Sequence, residues 1–198
     1  MIMMKIKNLV LQAGLLTALL ATATVQASGV HYQISTSTRF YADNAGHLAG
    51  LRMNWVYDPE VSALITDGRP LDEAGLRHLG EDIIADLYTM GYYLQFTANG
   101  QPVPVKKVTQ FTLKRVEGHR IQLGMQVELK QPMVVNGKTF TLTLVDPDSS
   151  ASLRYSSADR IVLDKALAAQ CAAPQLSNRQ AVVNEHEIML QTAIVRCP

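Results

Sequence analysis

The most restrictive stretch of this chain is Val30 to Asp67, where two alternating runs face each other across a short polar break. The first run reads VHYQISTSTRFYAD, with Tyr32, Ile34 and Phe40 at even positions. The second reads LAGLRMNWVYD, with Leu51, Met53, Trp55 and Tyr57 at odd positions. Side chains alternate faces along a strand, so these apolar sets share a face only if even residues pair with odd ones. Placing Thr36 opposite Trp55 does this and centres the turn at Ala45-Gly46. The same register sets His31 level with Asp58 to Glu60 on the polar face. Asp58-Pro59-Glu60 then opens a helix, with Asp58 as its natural cap. Val61, Leu64 and Ile65 offer it an apolar face.

A longer helix follows, over about 72–90. Asp72 caps it, and Leu76, Leu79, Ile83, Leu87 and Met90 recur at three- and four-residue steps, which is one buried stripe. Gly91 suits its C-terminal stop. Beyond it the chain returns to hairpins. Asn99-Gly100 marks a tight turn that pairs Leu94 with Val105 and Phe96 with Val103. Pro102 and Pro104 put that second strand on a sheet edge. Ile121 to Leu129 alternates without a break, and matching Leu113 to Ile121 places a loop at Val116 to Gly118, with Gly118 at positive φ. Asn136-Gly137 turns into a strand carrying Phe140, Leu142 and Leu144. After Asp146 the pattern weakens. Leu153–Tyr155 and Arg160–Leu163 suggest short strands, Ala166 to Gln180 a loop or frayed helix, and Ile188–Arg196 a last strand. The expectation is an α+β fold, mainly an antiparallel sheet or sandwich with one segregated amphipathic helix.

Residues 1–27 have the anatomy of a secretory leader. Lys5 and Lys7 precede an apolar run too short to span a bilayer, and Val25-Gln26-Ala27 fits a cleavage site. Cleavage after Ala27 would leave residues 28–198 as one domain in the periplasm, with no membrane span after processing. The formal net charge is +1, and losing the two leader lysines makes it slightly negative. With no basic run, nucleic acid is not the expected partner. In an exported chain the only two cysteines, Cys171 and Cys197, read as a disulfide. It would close a loop of about 26 residues, worth roughly 3–4 kcal/mol in the chain-entropy model.

Motifs of catalysis are missing: no GxSxG, no HExxH, no phosphate loop and no nucleophilic cysteine context. The expectation is a non-enzyme. His31 with Asp58 and Glu60 forms the sharpest candidate site. One imidazole and one or two carboxylates suit a borderline divalent ion such as Zn²⁺, Ni²⁺ or Co²⁺. Asp146 or Asp148 would complete the set if the strand ending at LVDPD comes near. The plainer alternative makes Asp58 only a helix cap and His31 an exposed terminal residue. Asn184-Glu185-His186-Glu187 reads as a solvated loop.

His31, Trp55-Val56-Tyr57-Asp58, Val145-Asp146-Pro147 and the cysteine pair together resemble domain-of-unknown-function family 1007, a group of exported bacterial proteins. The resemblance covers nearly all of the chain after the leader. Members are labelled as the periplasmic component of an uncharacterised ABC-type transport system, and their genes often neighbour nickel, cobalt or zinc transport genes. The resemblance therefore implies an accessory or solute-binding protein partnered with an inner-membrane metal permease or ABC-type transporter. The alternative is a structural or protein-interaction domain without bound metal. Two departures stand out. Gly29-Val30 replaces the first two residues of the family's His-Pro-His-like start, and only Asp67-Gly68 and Asp72 remain of its calcium-loop-like run.

Overall fold

The computed structural model describes residues 32–198; residues 1–31, which include the expected leader and His31, lie outside them. β1 (Tyr32–Ala42) and β2 (Leu48–Tyr57) form the expected antiparallel pair. Thr36 faces Trp55, Ile34 faces Tyr57 and Phe40 faces Leu51. Burial explains the register, because Leu51, Met53 and Trp55 are all shut away from water. A slip of one residue would turn every one of them outward.

Two sheets stack on this hairpin. In the first, the order is β5 (Gln110–Val116), β6 (Arg120–Met133), β2, β1 and β8 (Ala151–Arg154), with β9 (Ile161–Leu163) also alongside β1. β8 and β9 run parallel to β1; the other pairings are antiparallel. In the second, the order is β10 (Gln175–Val183), β11 (His186–Cys197), β7 (Lys138–Leu144), β3 (Leu94–Ala98) and β4 (Gln101–Pro102). The inward faces share one core. Ile34, Trp55 and Leu123 come from the first sheet, and Phe96, Leu142 and Val195 from the second. Phe40 meets Phe96 edge-on across the gap, with ring centres 6.0 Å apart. This is the expected α+β fold, a β-sandwich with helices set to one side.

Four details depart from the sequence reading. Leu113 pairs with Leu123, not Ile121, and the loop is Glu117–His119. Gly118 has the expected positive φ of 71°, but His119 also turns left-handed, at 57°. The shift is two residues, so each side chain keeps its face and alternation could not detect it. Phe96 O accepts from Val103 N at 2.9 Å as expected. Val105, however, leaves Leu94 and bridges to Leu129 in the other sheet. Pro104 has no N–H to hold the strand in its first ladder, and its carbonyl instead accepts from Lys130 N at 2.9 Å.

The helices supply the third departure. α1 (Pro59–Thr66) does not pack through Leu64, which is 76% exposed. Its one buried residue is Ser62, whose Oγ donates to Tyr57 O and accepts from Ile121 N at 3.0 Å. The Ser62 hydroxyl ties α1 to the sheet, and Val61 and Ile65 of the expected apolar face pack against the core beside it. α2 (Glu73–Thr89) matches the expected amphipathic helix and lies against β5. The contact is close at Gly80, where an added Cβ would sit 2.7 Å from the Phe111 ring.

Fourth, the segment read as loop or frayed helix holds a short helix, α3 (Lys165–Ala168), and then β10. β10 is exposed along most of both faces, so its sequence shows no apolar alternation. Cys171 and Cys197 are bonded to each other. They lie beside Phe40 and Leu163, at the end of β1 remote from Tyr32.

Candidate functional site

The candidate residues gather where β1 begins, β2 ends and β7 ends. Asp58 is the keystone. Its Oδ1 accepts from Val61 N at 2.9 Å, capping α1. Its Oδ2 accepts from Gln33 N at 2.9 Å, and its own N–H donates to Gln33 O at 3.2 Å. One carboxylate thus closes a helix and clamps the first residues of β1. Glu60 lies exposed in the first turn of α1.

Asp146 approaches the same end from β7. It is only 2% exposed. Its Oδ1 accepts from Asp148 N at 3.0 Å and its Oδ2 from Ala151 N at 2.8 Å, which folds the connection into β8. Asp148 faces solvent. The structure therefore brings Asp58 and Asp146 to one end, with Tyr32 under the field of both. Each of the two carboxylates is engaged by backbone N–H groups. Among the described residues, no three His, Cys, Asp or Glu side chains come together as a metal-holding group.

Sequence reasoning missed the tyrosines that line this end. A cleft of about 170 Å³ opens between α2 and the strand ends, lined by Tyr32, Tyr57, Tyr93, Ile83 and Met90, with Asp86 at its rim. Tyr93 is placed by an unusual turn. Gly91, Tyr92 and Tyr93 take φ of 61°, 58° and 55°, a left-handed knuckle after α2. For a non-glycine residue this conformation costs roughly 1–2 kcal/mol. Buried contacts offset it: Val108 N donates to Tyr92 Oη at 2.9 Å, and Tyr93 stacks on Trp55 at 5.9 Å. Gly91 was the only local sign of the turn.

Burial raises the pKa of all three cleft phenols above the ordinary tyrosine value. For Tyr32 the charges of Asp146 and Asp58 add to it. Tyr93 is pushed far up by burial and then by Asp146, and Tyr57 far up by burial. These groups stay protonated at neutral pH. They can donate and accept hydrogen bonds, but cannot serve as phenolate ligands or bases. The Tyr32 hydroxyl stands against that of Tyr93.

A family model described as a protein of unknown function, DUF1007, matches residues 14–192. The chain belongs to the DUF1007 family. The matched span takes in Trp55 to Asp58, Asp146 and all of the tyrosine cleft. No curated protein matches this DUF1007 chain. The family's description assigns no transport role and no metal.

Proposed function

We propose that this DUF1007 domain is an exported accessory protein of a transition-metal transport system, which carries Zn²⁺, Ni²⁺ or Co²⁺ to or from a membrane permease. The observation that carries the reading is the clamp of Asp58 on the start of β1, with Gln33 N at 2.9 Å from Oδ2. It fixes a carboxylate against the strand that His31 precedes in the chain, and Glu60 lies exposed nearby. Each Asp58 oxygen keeps a second lone pair, so ligation need not break the cap. Two or three protein ligands make an open, exchangeable site suited to cargo, unlike the closed four-ligand site of a structural zinc. The Cys171–Cys197 bond suits an oxidising compartment. No helix among the described residues is long and apolar enough to cross a membrane.

Calorimetric titration with each ion tests the reading, with His31→Ala, Glu60→Gln and Asp58→Asn as variants. Wild type should bind at least one ion, and His31→Ala should weaken it tenfold or more. Binding should fade as pH drops through the imidazole range at about 6.5, because a ligating imidazole must be neutral. No binding by wild type, or unchanged binding by His31→Ala, would sink the metal reading. One observation favours the second reading, an interaction domain without metal: both oxygens of Asp58 and of Asp146 already serve the backbone.

A further inference from the structure

The cleft under α2 carries chemistry that ion binding at Asp58 does not use. Ile83, Asp86, Leu87 and Met90 lie on one face of α2, since residues three and four apart are neighbours on a helix. All four line the cleft. One carboxylate is thus set into the apolar stripe that α2 turns to the strand ends. Facing it are Tyr32 and Ile34 of β1, Tyr57 of β2, and Tyr93 from the left-handed turn. The walls are hydrocarbon and phenol, and Asp86 at the rim is open to water.

The charge of the cleft has one sign. Arg69 and Arg77 are the only Lys or Arg residues from Asp58 to Met90. Arg69 is held by Asp82 at 2.9 Å and Arg77 by Glu81 at 3.1 Å. Asp86 forms no ion pair among the described residues. No Lys, Arg or His lines the cleft. Asp146 and Asp58 add negative field from the strand ends, felt at Tyr32, and that of Asp146 also reaches Tyr93. Both phenols are neutral, so they can accept or donate hydrogen bonds without countering that charge.

We propose that this cleft binds a small organic cation, a primary ammonium carrying one apolar ring, with the ring against the hydrocarbon walls and the ammonium at Asp86. Size sets the ring: an apolar cavity of roughly 150 Å³ holds one benzene, and the cleft measures about 170 Å³. Chemistry sets the head group. A primary ammonium has three N–H donors, for which the Asp86 carboxylate and the phenol oxygens are acceptors. An anion would meet only like charge, and a neutral ligand would leave Asp86 unmatched. A bare hard cation seeks about six or more oxygens, whereas the cleft offers one carboxylate and apolar walls that such an ion cannot use. A quaternary ammonium seeks open ring faces, and one face of Tyr93 is already stacked on Trp55.

The inference does not rest on metal binding, and the test separates the two by working in EDTA. The oxidised protein is titrated with benzylamine, benzyl alcohol, benzoate and benzyltrimethylammonium, and amide NMR reports the place of binding. Benzylamine should bind, more weakly as salt rises, and should shift the signals of Ile83, Asp86, Met90 and Tyr93. The other three compounds should each bind about tenfold more weakly or worse, the loss expected when a charge-assisted hydrogen bond is removed. Asp86→Asn keeps the size of an exposed side chain and should cost benzylamine about tenfold. Asp82→Asn removes the same charge one turn away and should leave benzylamine binding within about twofold of wild type, because screened field alone is weak there. Ile83→Trp should fill the cleft and abolish binding; if it melts too early to be read, Asp86→Asn decides alone. No binding of benzylamine overturns the proposal, as do equal binding of benzyl alcohol, full binding by Asp86→Asn, or shifts centred away from the cleft.

Discussion

The first and last hairpins share one motif and are held by different forces. β1–β2 lies at the heart of its sheet, flanked on both sides and closed over Trp55. β10–β11 is paired to β7 only over Thr192–Cys197, so its outer part extends past the sheet. There Val182 is 68% exposed. Two side-chain hydrogen bonds reach that arm, Ser149 Oγ to Val183 O at 2.8 Å and Tyr155 N to Gln191 Oε1 at 2.7 Å, and Leu190 is buried beside β8. The disulfide pins its base. Burial stabilises both strands of the first hairpin; in the last it is confined to β11, at Leu190, Ala193 and Val195, while a covalent link and a few polar contacts hold the exposed rest.

If that contrast is right, the largest effect should come from Trp55→Ala. Emptying a fully buried aromatic site costs roughly 3–5 kcal/mol, and chemical denaturation should report the loss as a global one. A change below 1 kcal/mol would show that the first hairpin is not what the core depends on. Reducing Cys171–Cys197, or replacing both residues with serine, should cost about 2–4 kcal/mol. Hydrogen exchange should show that loss in β10 and β11 before β1 and β2. Free thiol in the denatured, unreduced protein would contradict the bond itself.

Asp58→Ala removes the α1 cap and the Gln33 clamp together, and should cost about 1–2 kcal/mol. Asp58→Asn, which keeps an acceptor, should recover part of that in thermal melts. The smallest effect should be a gain. The β10–β11 turn is Asn184-Glu185, at φ of 47° and 67°, and the second position strains any residue with a Cβ. Glu185→Gly should stabilise by about 0.5–1 kcal/mol. Destabilisation would mean that Glu185 holds the arm in some other way.

Legibility in the sequence follows the same contrast. Where one face is buried and the other wet, alternation fixes both the strand and its partner, as for Ile34 opposite Tyr57. A two-residue shift escapes it, as at Leu113. β10 escaped altogether, because neither face is consistently buried and its polar residues carry no period. α1 misled only at Leu64, since Val61 and Ile65 meet the core and the Ser62 hydroxyl ties the helix to the sheet. At the candidate site, Asp58 was legible as a cap before a proline. Its second bond, to Gln33, needed the register as well. The tyrosine cleft was not legible, because it depends on two left-handed tyrosines that no propensity favours.

The central claim, that the start of β1 beside Asp58 is an ion-binding end, can be read directly from amide NMR spectra during addition of paramagnetic Co²⁺. The account predicts that the signals of Gln33 and Val61 shift or broaden first, that those of Gly124 and Gln126 stay unchanged, and that His31→Ala removes the effect. Unchanged spectra, or perturbation centred on His78 and Glu81 of α2, would contradict it and leave Asp58 as a helix cap and strand clamp alone.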